Sequence, residues 1–130
     1  MRNNVVRAAV ALCLMVLSGA SRAAVSEDTF LMRSTNDFVE LCTAAPSDPM
    51  GTAALNFCHG FGVGVYRVLE EMEMTRGTHL FCMPATPPTR NEALASFIRW
   101  ARSTPEALST PPQDGIATFL TKQYPCPNKK

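Results

Sequence analysis

The sequence predicts an all-α protein, a small four-helix bundle cross-linked by two disulfide bonds. Hydrophobic residues recur at helical spacing in four segments, and no segment shows the strict alternation of a half-buried strand. The 130 residues, 46% of them hydrophobic and 18% charged, match one globular domain. An even number of cysteines follows the N-terminal region and supplies the cross-links.

The N-terminal region has the layout of a secretory signal peptide. Two arginines accompany an apolar run over 8–20, and small residues precede two candidate cleavage sites, after Ala20 and after Ala23. The run is shorter than the roughly 20 residues that a membrane-spanning helix needs. We therefore expect a signal peptide over 1–23, a mature domain over 24–130 in an oxidising compartment, and no membrane span after cleavage.

The charge balance and the residue inventory exclude several classes of function. Lys and Arg number 12 and Asp and Glu 11, and loss of three arginines with the signal peptide leaves nine basic against eleven acidic residues. A nucleic-acid binder needs a basic surface, which this composition lacks. The two histidines offer little for a metal centre or a histidine-based catalytic triad. We expect no metal, no cofactor and no enzymatic activity.

Four segments carry the helical pattern. The first opens with the cap-forming residues Ser34 to Asp37 and ends before Pro46, and the others span 52–74, 90–103 and 112–124. The third has the clearest start, because Thr89 and Glu92 form a capping box. The proline-containing segment between the third and fourth helices is predicted to be a loop.

Four cysteines remain in the mature chain: Cys42, Cys58, Cys82 and Cys126. Three pairings are possible in principle, and a zinc site with four thiolate ligands is the alternative, although tight C-x2-C spacing is missing. Cys42 and Cys58 flank the short connection of the first two helices, and Cys82 and Cys126 bracket the last two. This geometry predicts the pairs Cys42–Cys58 and Cys82–Cys126, contributing about 3 and about 4 kcal/mol to stability.

A glycine-rich run on the second helix indicates packing rather than catalysis. Neighbouring helical residues point about 100° apart, so His59 does not face the Cys58 sulfur as a nucleophile pair requires. The run also lacks the lysine of a phosphate-binding loop. Gly60 and Gly64 are therefore predicted to form a shallow groove against which another helix packs.

Three other features have structural interpretations. The acidic residues Glu70, Glu71 and Glu73 are near-consecutive on a helix, which predicts a solvated face. His79 is predicted to lie in a solvated loop. For Trp100, the only tryptophan, a place in the core and a role as a partner-facing anchor are equally compatible with the sequence.

Five short motifs together resemble the Rap/Tai family of small secreted immunity proteins. They are Leu41-Cys42, Phe57 to Val65, Phe81 to Pro84, Thr104 to Glu106 and Tyr124 to Pro127. The resemblance implies a disulfide-bonded helical bundle, often dimeric, in the periplasm of a Gram-negative cell. It further implies binding to a peptidoglycan amidase effector of a type VI secretion system. The sequence departs from the family pattern between Pro105 and Gly115.

An inhibitor of this kind needs a projecting and restrained segment, and 104–113 is the best candidate. Its prolines lower the entropy lost on docking. Glu106, Leu108 and Ser109 offer mixed polar and apolar contacts, with Trp100 as a possible anchor nearby. A simple connector between helices is the alternative for this segment.

A general periplasmic binding or chaperone-like stress protein is the competing function. Methionine side chains adapt to varied apolar partners, and five lie outside the signal peptide, at Met32, Met50, Met72, Met74 and Met83.

Overall fold

A computed structural model describes residues 24–127, which contain helices and no strand. After a short 3-10 segment at Glu27–Leu31, the helices are α1 (Thr35–Cys42), α2 (Gly51–Arg76), α3 (Arg90–Arg102), α4 (Pro105–Leu108) and α5 (Pro112–Gln123). The four predicted helices are α1, α2, α3 and α5, so the predicted all-α fold is confirmed. The predicted loop over 104–113 is wrong in part, because it contains α4. The predicted signal peptide lies outside the described residues.

Local sequence explains where α1 and α3 begin. In α1, Ser34 Oγ accepts a hydrogen bond from Asp37 N at 3.2 Å, and Asp37 Oδ2 accepts one from Ser34 N at 3.2 Å. In α3, Glu92 Oε2 accepts from both the N–H and the hydroxyl of Thr89 at 2.8 Å, which confirms the predicted capping box. These two hydrogen bonds hold the pKa of Glu92 below its usual value.

The short helix α1 forms the centre of the molecule, because α2, α3, α4 and α5 all contact it. Its Phe38 and Leu41 side chains are almost fully buried. A chain of ring contacts spreads from there: the Phe38 and Phe97 centroids are 5.4 Å apart, and those of Phe97 and Phe119 are 5.5 Å apart. Such aromatic pairs add to the stabilisation that burial of their apolar area supplies.

Both predicted disulfide bonds are confirmed. Cys42 pairs with Cys58 across the α1–α2 connection, and Cys82 pairs with Cys126, with Cα–Cα distances of 5.2 and 4.8 Å. Next to the second bond, Cys82 N donates a hydrogen bond to the Tyr124 carbonyl at 2.8 Å. Since all four sulfurs are bonded in pairs, the zinc alternative is excluded.

The predicted packing role of Gly60 and Gly64 is wrong. A Cβ atom added at either position would meet no atom within 4 Å. The reason is the direction of the helix face: Gly62 faces α1, where an added Cβ would lie 3.5 Å from Phe38 Cζ. At about 100° a residue, Gly60 and Gly64 lie on the opposite side of α2.

The close helix approach occurs instead at Gly115 of α5. A Cβ atom there would overlap Thr35 Oγ1 and lie 3.0 Å from Thr35 Cγ2. Thr35, the first residue of α1, is completely buried. Only glycine therefore allows α5 to pass this close to the start of α1.

The predicted solvated face at Glu70, Glu71 and Glu73 is wrong for Glu73, which is only 7% exposed. Gly77, at a φ of 65°, ends α2 in the left-handed conformation, and the chain turns back. Glu73 Oε1 then accepts hydrogen bonds from the N–H groups of Leu80 at 2.6 Å and Phe81 at 3.0 Å. The chain reversal after α2 thus buries a carboxylate that would be exposed on an isolated helix.

His79 lies in this returning segment and its side chain is 63% exposed, as predicted. Its Nδ1 is 3.6 Å from Glu73 Oε2. No helix within residues 24–127 has the length and apolar character needed to cross a membrane.

Candidate functional site

The segment over 104–111 forms a rigid corner between α3 and α5. Its middle is the single turn α4, which Pro105 begins at the first helical position. The corner is tied to α1, because the Thr110 carbonyl accepts hydrogen bonds from Thr35 N at 2.7 Å and from Thr35 Oγ1 at 3.1 Å. Thr110 itself donates from its N–H and its hydroxyl to the Ala107 carbonyl. The corner therefore has little conformational freedom to lose on binding.

Of the predicted binding residues in this corner, Glu106 and Ser109 are exposed and Leu108 is half-buried against the core. The Ser109 hydroxyl donates to the Glu106 carbonyl at 3.1 Å, which ties the two exposed residues together. Within residues 24–127 the Glu106 carboxylate forms no ion pair.

Trp100 lies near the end of α3, one turn before the corner, and is half-buried. Its ring centroid is 5.8 Å from that of Phe97 and 5.6 Å from that of Phe119. One side of the indole thus packs on the core while part of the residue stays accessible. The core contact predicted as one interpretation of Trp100 is present, and its role as a partner-facing anchor stays a prediction.

A second surface, which the sequence interpretation missed, is the open apolar face of α2. A shallow groove of about 450 Å³ separates this face from the start of α5. Its α2 side consists of Phe61, Gly64, Val65, Val68, Leu69 and Met72. Val68 is 59% exposed. The length of α2 could have indicated this surface. The 26 residues of α2 extend about 39 Å, whereas the eight residues of α1 cover only about 12 Å of that length.

The side chains that could suggest catalysis are either bonded to other groups or far apart from one another. The Cys58 sulfur is bonded to Cys42, and His59 beside it is half-buried on α2. Over residues 24–127, no three side chains of the metal-binding types lie close enough to share an ion.

Comparison with protein families decides the assignment. A family model described as Rap1a immunity proteins matches residues 34–126, from the cap of α1 to the last disulfide cysteine. The chain belongs to the Rap1a immunity protein family. The matched region contains both disulfide bonds, all five helices and the corner. Searches of curated proteins and of solved structures found no match.

This assignment confirms the Rap/Tai resemblance that the sequence motifs predicted. Members of a Rap1a immunity family are immunity proteins, and the role of such a protein is to bind a secreted protein effector.

Proposed function

We propose that this Rap1a family member is exported to the periplasm, where it binds and inhibits a peptidoglycan amidase effector of a type VI secretion system. The observation that carries the proposal is the family match over nearly the whole helical domain. The two disulfide bonds support it, because such bonds persist in oxidising compartments such as the periplasm. The signal-like sequence over 1–23 is consistent with export.

Inhibition in this proposal is stoichiometric: the protein blocks the effector and catalyses no reaction itself. The corner around α4 is the proposed contact, with Glu106 and Ser109 as polar contacts and Leu108 and Trp100 as apolar support. Because Thr110 fixes the corner to Thr35, docking requires little ordering of the backbone. An exposed carboxylate in a rigid turn suits hydrogen-bond donors at the mouth of an effector's active site.

Co-expression tests the partner. The amidase encoded nearest to this protein would be directed to the periplasm with and without the immunity protein, and cell lysis would be measured. The proposal expects rescue by the wild-type protein and a one-to-one complex of the purified components. Lysis that continues unrelieved, with no complex at micromolar concentration, would reject this amidase as the partner.

A pair of matched charge reversals tests the surface. Glu106→Lys lies in the corner, and Glu71→Lys makes the same change at an exposed position of α2. We expect Glu106→Lys to weaken effector binding about tenfold or more, as loss of a charge-assisted hydrogen bond does. Glu71→Lys should bind as the wild type does. Equal affinities for both variants would exclude the corner and leave the partner assignment standing.

The open face of α2 supports a second candidate function, general apolar binding of the chaperone type. Val68 of this face is 59% exposed, and the face also includes Met72, a residue type that adapts to varied partners. Suppression of aggregation of an unrelated unfolded protein, lost in Val68→Glu, would favour this function.

The dimer implied by the family resemblance is tested by light scattering of the purified mature chain, which should give twice the monomer mass.

A further inference from the structure

A cleft lies between α2, α3 and α5, away from the corner, with a volume of about 330 Å³. Buried aromatic and aliphatic side chains line it from the core: Phe38, Phe97, Ile116, Phe119 and Leu120. Met83, Pro87 and Pro88 of the α2–α3 connection border it as well. Its volume falls at the small end of the range for small-molecule pockets, which runs from about 300 to about 1,000 Å³.

The charged residues that line this cleft are all basic. Arg67 and Arg90 contribute guanidinium groups, and no Asp or Glu is among the lining residues. Arg67 forms an ion pair with Glu70 at 2.8 Å. Arg90 forms no ion pair with any residue in 24–127, which leaves its charge available.

Arg90 is the first residue of α3, whose first turn also contains Glu92. The Glu92 carboxylate accepts hydrogen bonds from Thr89 and forms no ion pair with Arg90. The cleft thus joins an apolar interior to a rim that is complementary to a negative charge.

We infer that this cleft binds one medium-chain fatty acid, with the acyl chain against the aromatic interior and the carboxylate at Arg90. At about 330 Å³ the cleft is at the small end of the range for small-molecule pockets, which suits a single acyl chain of medium length and not a two-chain lipid. A peptide is disfavoured because its backbone groups would lose hydrogen bonds in an apolar interior. This inference does not depend on the identity of the effector.

Trp100 provides the readout, because its ring contacts Phe97 and Phe119 and both line the cleft. The mature protein, oxidised and stripped of lipid, would be titrated with decanoate while tryptophan emission is followed. The expected result is a saturable change at one ligand for each protein. Decanol and decylamine have the same chain length as decanoate. Both should bind at least about tenfold more weakly, since neither places an anion at Arg90.

Two pairs of variants locate the site. Arg90→Ser should weaken decanoate binding about tenfold, whereas Arg102→Ser, an exposed arginine at the other end of α3, should leave it unchanged. Ala93→Phe should abolish binding by filling the cleft, and Ala95→Phe, on the exposed side of α3, should not.

Three results would overturn the inference. Decanol binding as tightly as decanoate would remove the role of the cation. Unchanged affinity in Arg90→Ser, a substitution at an exposed position, would place the carboxylate elsewhere. Binding of several decanoate molecules by each protein would indicate adsorption to the open apolar face of α2 instead of the cleft.

Discussion

Replacing Gly115 by alanine should destabilise the protein by a predictable amount. The added Cβ would overlap Thr35 Oγ1 and lie 3.0 and 3.2 Å from Thr35 Cγ2 and Cβ. Thr35 cannot move freely, because it is fully buried and its hydroxyl donates to the Thr110 carbonyl at 3.1 Å. Either α5 must shift away from α1 or the hydroxyl must give up this hydrogen bond.

The magnitude follows from three terms. Overpacking of this kind costs about 1–3 kcal/mol, and a lost internal hydrogen bond costs about 1 kcal/mol. The better helix propensity of alanine offsets up to about 1 kcal/mol of this destabilisation. We therefore expect Gly115→Ala to lower the free energy of unfolding by about 2 kcal/mol. In a domain of about this size, that corresponds to a decrease in Tm of about 10 °C.

Thermal unfolding of the oxidised protein, followed by circular dichroism, measures this change. Gly64→Ala is the matched control, because an added Cβ there meets no atom within 4 Å. It should stabilise the helix by about 0.5–1 kcal/mol. In a Thr35→Ala background, Gly115→Ala should be about 1 kcal/mol less harmful, since two of the atoms that it overlaps or crowds are gone. An unchanged Tm for Gly115→Ala, or an equal loss in Gly64→Ala, would refute the reasoning.

Three further predictions concern buried or linked groups. Glu73→Ala should destabilise the protein by about 1–3 kcal/mol, because two backbone N–H groups lose their acceptor, while Glu71→Ala should change urea stability by less than about 0.5 kcal/mol. Replacing both cysteines of the disulfide that brackets α3 to α5 by alanine should cost about 4 kcal/mol of unfolding free energy; equal urea midpoints would contradict this. Burial, then a hydrogen bond and the charge of Glu70, raise the pKa of Tyr66 from 10.0 to about 12. The contribution of Tyr66 to stability is complete below pH 10 and is lost as the pH rises through about 12. Spectrophotometric titration of Tyr124→Phe, which leaves Tyr66 as the remaining one of two tyrosines, would measure this pKa.

Local patterns predicted the features that depend on neighbouring residues. The capping box at Thr89 fixes the start of α3 with side chains three residues apart. The pair Cys42–Cys58 follows because a short connection returns α2 against α1. Pro105 also carried a local signal for α4, as proline favours the first position of a helix, but the surrounding prolines favoured a loop.

Features that depend on distant packing were not predictable in the same way. The glycine pattern of α2 indicates that close approach is possible but not which side α1 covers. The pattern therefore points to Gly60 and Gly64, whereas the close helix approach occurs at Gly115. Glu73 is buried by a segment that returns after Gly77, and nothing within α2 itself encodes that contact. The cleft beside Arg90 likewise requires three helices to be placed before it exists.

The order of the disulfide bonds along the chain affects how the protein matures. Cys42 pairs with Cys58 and Cys82 pairs with Cys126, so the two covalent rings follow one another and are neither nested nor crossed. A chain that enters an oxidising compartment from its N-terminus exposes each cysteine next to its native partner. Oxidation in order of emergence therefore yields the correct pairs directly, and a thiol–disulfide reshuffling step is unnecessary. Under the proposed export, the first ring can close while α3 to α5 are still being delivered, and Phe38 and Leu41, which are buried in the folded protein, can begin to pack against α2 at that stage.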